Sequence, residues 1–161
     1  MPLLAERINE RFGFAYSCPR GWHETESMNA DGCTLTDPSD SHTEIRVYAS
    51  YAVLHRHLEE WVDWTVESER TAPGFTIVER TKTECLVQDS TERREPVPAE
   101  RLVFRFAAAG LATVVIWTLT QFADVQYAIR CQAPVDRFEH YRDLFKDVVD
   151  RFRILSPPVQ A

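Results

Sequence analysis

Histidines standing near carboxylates are the residues of this chain whose types and spacing could do chemistry. His42 and Glu44 are two apart in a stretch of alternating polarity. On a strand they share a face and could meet one metal ion. His55 and Glu59 stand four apart, the helical spacing at which two side chains reach one ion. His55 and His57 cannot chelate together on a helix, where two positions subtend about 200°. Each usable pair supplies half a site, since a built zinc centre takes three or four converging ligands. The expectation is therefore no cofactor, with at most an adventitious surface ion. His23-Glu24 behind Trp22, and His140 near Asp136, Glu139 and Asp143, read as solvated groups.

Nucleophilic catalysis finds no local support. There is no G-x-S-x-G, and Cys33, which follows Gly32, has no histidine close in sequence. Five glycines leave no Gly-rich loop to cradle a phosphate. The remaining signal is aromatic. Trp61 falls in a helical stripe and Trp117 on a central strand, which makes both core residues. Trp64 lies at the edge of the stripe beside Glu60 and Glu67, and Trp22 sits in a Pro/Gly turn. These four, Trp22, Trp64, Glu60 and Glu67, are the candidate partner-binding residues, because an exposed aromatic beside charge can anchor a protein.

Composition sets the frame. The chain has 161 residues, 44% of them hydrophobic and 27% charged, and 18 basic against 25 acidic residues give −7. That is one globular domain over 1–161 with its own core. The acidic balance disfavours nucleic acid. Cys18, Cys33, Cys85 and Cys131 show no C-x-x-C spacing and read as free buried thiols of a reducing compartment. The first dozen residues carry Glu6, Arg7, Glu10 and Arg11 and no apolar core of a signal peptide, and the apolar run Leu111 to Leu119 is too short to span a bilayer. The expectation is a cytoplasmic protein without membrane insertion.

The positioning elements follow from periodicity. Phe12 to Tyr16 and Cys33 to Thr36 read as short strands, and Thr43 to Tyr51 as a half-buried one. Ala52 to Arg70 switches to helical period, with Leu54, Leu58, Trp61, Val62 and Thr65 as its stripe, and Pro73-Gly74 stops it. Phe75 to Glu79 and Thr81 to Gln88 read as strand broken at Arg80. Asp89 to Glu100, with Pro96 and Pro98, reads as a polar loop. Arg101 to Ala107, Thr113 to Gln121 and Val125 to Ala133 form a three-strand meander, antiparallel because the turns are short. Phe138, Tyr141, Phe145, Val148 and Phe152 then mark an amphipathic closing helix. The sum is an α+β fold: a mainly antiparallel sheet, one mid-chain helix and one C-terminal helix.

This layout resembles the PsbP/Mog-like superfamily, which includes PsbP-like, DcrB-related and LpqN-type proteins. The resemblance rests on Phe14-Ala-Tyr16 running into Pro19-Arg-Gly-Trp22, on Pro98-Ala-Glu-Arg-Leu102, and on Asp150-Arg-Phe-Arg-Ile154 at the end of the last helix. It covers nearly the whole chain, and its motifs are structural. It implies an α/β/α sandwich and a role in binding, with no shared enzymatic activity.

The leading expectation is a non-enzymatic accessory protein that holds a protein partner, as an adaptor or chaperone. Two alternatives stay open. One is a small-ligand protein or enzyme whose polar residues converge only in three dimensions. The other is a toxin-immunity protein, which fits the acidic charge and small size. Oligomeric state is not legible.

Overall fold

The computed structural model describes residues 3–156. Ten strands form one sheet in the order β1-β2-β10-β6-β7-β8-β9-β5-β4-β3. They are β1 (Leu4–Asn9), β2 (Phe14–Pro19), β3 (His23–Glu26), β4 (Gly32–Asp37), β5 (Asp40–Tyr51), β6 (Thr76–Gln88), β7 (Arg94–Ala108), β8 (Leu111–Phe122), β9 (Val125–Pro134) and β10 (Arg153–Leu155). Helix α1 (Leu58–Glu69) follows β5, and α2 (Phe138–Arg151) follows β9 through a 3-10 turn. The fold is α+β, and every strand pairing is antiparallel except β10 with β6.

Alternation along the strands builds two cores, one on each face. Phe14, Leu35, Ile45, Val47, Ile129 and Cys131 point one way and meet Tyr141, Phe145, Val148 and Phe152. Leu102, Phe104, Val115, Trp117 and Leu119 point the other way and meet Trp61, Val62 and Val66 of α1. A helix on each face of a sheet gives the sandwich layering, and burial of these side chains is its main driving force.

The sheet is rolled around α2. Phe14 of β2 packs edge-on against Tyr127 of β9 with ring centroids 6.0 Å apart, although β10, β6, β7 and β8 lie between their strands. The roll carries the two edge strands toward each other. Arg7 of β1 reaches Glu24 of β3 at 3.3 Å, and Asn9 Nδ2 donates to the Ala30 carbonyl at 2.9 Å. Side chains close this seam, and no backbone hydrogen bond between β1 and β3 occurs among the described residues. Gly32 is required at the start of β4, because a Cβ there would collide with the Val47 carbonyl and with Tyr48.

Several expectations need correction. The mid-chain helix starts at Leu58, not Ala52, because the Ala52 N–H bonds the Asp124 carbonyl and His57 is extended. Residues 52–57 are irregular, and Leu54 is exposed rather than part of a buried stripe. The strand over 76–88 is continuous through Arg80, with a register shift between Ile77 and Glu79. Most of the supposed loop 89–100 is strand, and only the Asp89–Arg93 turn is not. Pro96 and Pro98 are tolerated there because residues before Ala99 pair with β6 alone, so their missing N–H groups face no neighbour. The meander therefore has four strands, β6 to β9. Strands β1, β3 and β10 were not legible: β3 is His-Glu-Thr-Glu, exposed throughout, and β10 is three residues long. The closing segment Arg153–Leu155 is that strand and not helix.

A candidate partner groove on the outer face

The roll leaves α1 alone on the outer, convex face, and beside it lies a groove of about 430 Å³. Its floor is Tyr48 of β5 and Trp117 of β8, neighbours across β9. One wall is α1 with Trp61, Trp64, Thr65 and Glu69. The other is the segment from Tyr51 to His55. That volume lies within the range of natural ligand pockets, about 300–1,000 Å³.

The segment is held by two glutamines. Gln121 and Gln126 face each other across β8 and β9, and their Nε2 groups donate to the His55 carbonyl at 3.0 and 2.8 Å. The His55 ring then lies over Trp64, with centroids 5.4 Å apart and planes 33° from parallel. The result is an apolar rim: Val53 is 73% exposed, Leu54 84% and Trp64 53%. Scattered surface apolar residues are ordinary, but three around one groove form a patch of the kind that marks interaction sites.

The two floor side chains themselves carry no charge. Burial pushes the Tyr48 hydroxyl up to about 12, with the Trp117 indole, Arg130 and Arg46 acting against the shift, so it stays a neutral phenol. The guanidinium of Arg130 stacks on the Trp117 ring at 5.2 Å and makes no ion pair among the described residues. Burial lowers its pKa, and the charge of Glu69 works the other way. The Trp117 Nε1 atom is covered from water and falls short of a full hydrogen bond to the Tyr48 hydroxyl.

The wall formed by α1 is acidic. Glu69 lines the groove, Glu59, Glu60, Asp63 and Glu67 lie elsewhere on the helix, and its last turn carries no cation. Glu59 and Glu60 in the first turn suit the macrodipole, but Glu67 and Glu69 at the C-terminal end oppose it, so helix stability does not account for those two. Arg80 pairs with Asp63 at 2.7 Å and Arg70 with Glu67 at 2.8 Å. Glu60, Trp64 and Glu67 share one helix face at steps of four and three.

The candidate residues therefore fall in different places. Trp64 lines the groove, and Glu60 and Glu67 stand beside it on the same helix face but outside the lining. Trp22 is on the other side of the sheet, half-buried edge-on against Tyr141 at 6.1 Å. His42 is exposed on β5 and Glu44 is taken up by Arg46 at 2.9 Å. The helical relation of His55 to Glu59 does not exist, because His55 precedes the helix. No three His, Cys, Asp or Glu side chains cluster as a metal site would require among the described residues. His23 and His140 are exposed, and the four cysteines are free and buried. No helix among the described residues is long and apolar enough to cross a membrane. Sequence reasoning missed Tyr48, which alternates onto the same strand face as Glu44 and Arg46, and the glutamine pair that fixes the groove wall.

The backbone is similar to several solved structures. It superposes on cyanobacterial PsbP (CyanoP) from Synechocystis sp. PCC 6803 with a TM-score of 0.68, over 96% of this chain and 94% of that one, at 12% identity. This is the PsbP-like fold. PA94 of Pseudomonas aeruginosa, a protein of unknown function, shares it with a TM-score of 0.61 at 11% identity, over 96% of each chain. LpqN, involved in cell envelope biogenesis of Mycobacterium tuberculosis, shares it with a TM-score of 0.57 at 14% identity, over 96% of this chain and 91% of that one. No protein-family model and no curated protein matches the sequence. The PsbP-like likeness thus rests on backbone architecture.

Proposed function

We propose that this chain is a non-enzymatic accessory protein that holds a protein partner in the groove beside α1. The observation that carries the reading is the joining of an exposed aromatic and aliphatic rim, Trp64, Val53 and Leu54, to a helix that bears carboxylates and no cation. An anchor side chain would enter between Trp64 and Leu54, and basic residues flanking it would face Glu60, Glu67 and Glu69. Apolar anchors supply affinity in such contacts, and charge supplies orientation and encounter rate. PsbP-like relatives fit an accessory role, and the fold itself brings no catalytic constellation with it.

The test is an array of short synthetic peptides, each with one Phe, Trp or Leu flanked by Lys and Arg, matched to copies flanked by Asp and Glu. The reading expects saturable binding of basic peptides only, weakened at least tenfold by Trp64→Ala. Equal binding of the acidic set, or binding indifferent to Trp64→Ala, contradicts it.

A further inference from the structure

A second trough lies on the opposite, concave face. Helix α2 rests on β2 and β9 and leaves part of β6, β7 and β8 uncovered beneath its flank. The space is about 450 Å³. Its floor is Val103 and Ile116, directly opposed across β7 and β8, and its wall is Phe145 and Val149 of α2. One row further along, Arg101 and Thr118 are likewise opposed.

Thr118 is the anomaly. Its residue is 1% exposed, it stands among the groove's lining, and its Oγ1 has no hydrogen-bond partner. A buried hydroxyl without a partner is costly, and most such groups in folded proteins are satisfied. Beside it stands a cation held loosely. The Arg101 guanidinium is 3.5 Å from Glu79, a long ion pair, and both side chains are nearly half exposed. Arg142 and Lys146 stand at the rim, already paired with Glu139 and Asp150, so Arg101 is the lining cation with the weakest hold on a carboxylate. The lining is net positive on a chain whose formal charge is −7.

We propose that this trough binds a small aryl carboxylate. The ring lies between Val103, Ile116 and the Phe145 side of α2. The carboxylate accepts from the Thr118 hydroxyl and from the Arg101 guanidinium, which stands across the strand pair within reach of the same anion. Both donors then gain the partner that neither fully has. The trough is on the other face of the sheet from the α1 groove, so the two sites are independent.

Isothermal titration of the full chain with 2-naphthoate tests it, with naphthalen-2-ylmethylammonium as the same ring bearing the opposite charge. The expected result is saturable one-to-one binding of the carboxylate alone. Thr118→Val removes a hydrogen bond to a charged group and should weaken it about tenfold or more. Arg101→Gln, a change at an exposed position that leaves the core intact, should do the same, and Trp64→Ala should have no effect. Absence of saturable naphthoate binding overturns the proposal. So does equal binding of the amine, or full affinity in a folded Arg101→Gln variant.

Discussion

Gln121 and Gln126 are cross-strand partners that spend their side-chain amides on one acceptor, the carbonyl of His55. That shared contact ties an irregular segment, 52–57, to the middle of the sheet and sets the far wall of the outer groove. Gln126 is buried, so replacing it by Leu leaves the His55 carbonyl with Gln121 alone. Gln126→Leu should cost about 1 kcal/mol. Amide exchange over 52–57 should quicken while β8 and β9 stay protected. Uniform loss of protection over the whole sheet would contradict this assignment.

The rolled sheet makes a contrast between its seam and its interior. Phe14 is fully buried against Tyr127 and Phe152, at 6.0 and 5.8 Å between centroids. Phe14→Ala should destabilise by about 3–5 kcal/mol in urea melts. Arg7→Ala removes the ion pair across the seam, where both partners face solvent, and should leave the urea midpoint nearly unchanged.

The buried thiols predict an alkaline limit. Burial pushes Cys85 and Cys131 up to about 12. An unfolded thiol titrates near ~8.5, so below that pH both states keep the proton and the contribution is whole. As pH rises further only the unfolded chain releases protons, and stability is lost until the folded pKa is reached. Thermal midpoints should fall steeply between about pH 9 and 11. In the same range, Cys85→Ala should flatten the fall. At neutral pH a thiol reagent should find the cysteines only after denaturation.

At the other end of the scale, the Tyr141 hydroxyl donates to Asp37 Oδ2 at 2.6 Å. Partial burial tends to raise the Asp37 carboxyl, but Tyr141, Ser39 and Arg137 outweigh it and the pKa is lowered. The pair's contribution is present above the ordinary carboxylate range and is lost as pH falls through the lowered value. Tyr141→Phe should cost about 1–2 kcal/mol at neutral pH. The deficit against the parent protein should shrink in acid, and a deficit that stayed constant down to the acid transition would contradict the linkage.

What could be read from sequence depended on how strongly packing writes into it. Strands β5, β8 and β9 and helix α2 bury regular faces, so Ile45, Val47, Val115, Phe145 and Val148 carried clear periods. Strand β3 buries nothing and left no pattern, and β10 is too short to have one. The 52–57 segment misled because Leu54 and Leu58 happen to stand four apart, although only Leu58 is helical. The candidate face was half legible. Trp64, Glu60 and Glu67 share a helix face by spacing alone. Their opposite wall depends on Gln121 and Gln126 reaching a carbonyl about 70 residues away in sequence, which no local rule foresees.

The most direct test of the partner groove uses its own tryptophans. Protein labelled with 5-fluorotryptophan gives one fluorine signal for each of Trp22, Trp61, Trp64 and Trp117, assigned by single Trp→Phe variants. On titration with a basic peptide carrying one aromatic anchor, the groove reading predicts that Trp64 shifts most, Trp61 and Trp117 follow, and Trp22 on the opposite face stays still. Movement of Trp22 with Trp64 unmoved, or no movement of any of the four, would contradict it.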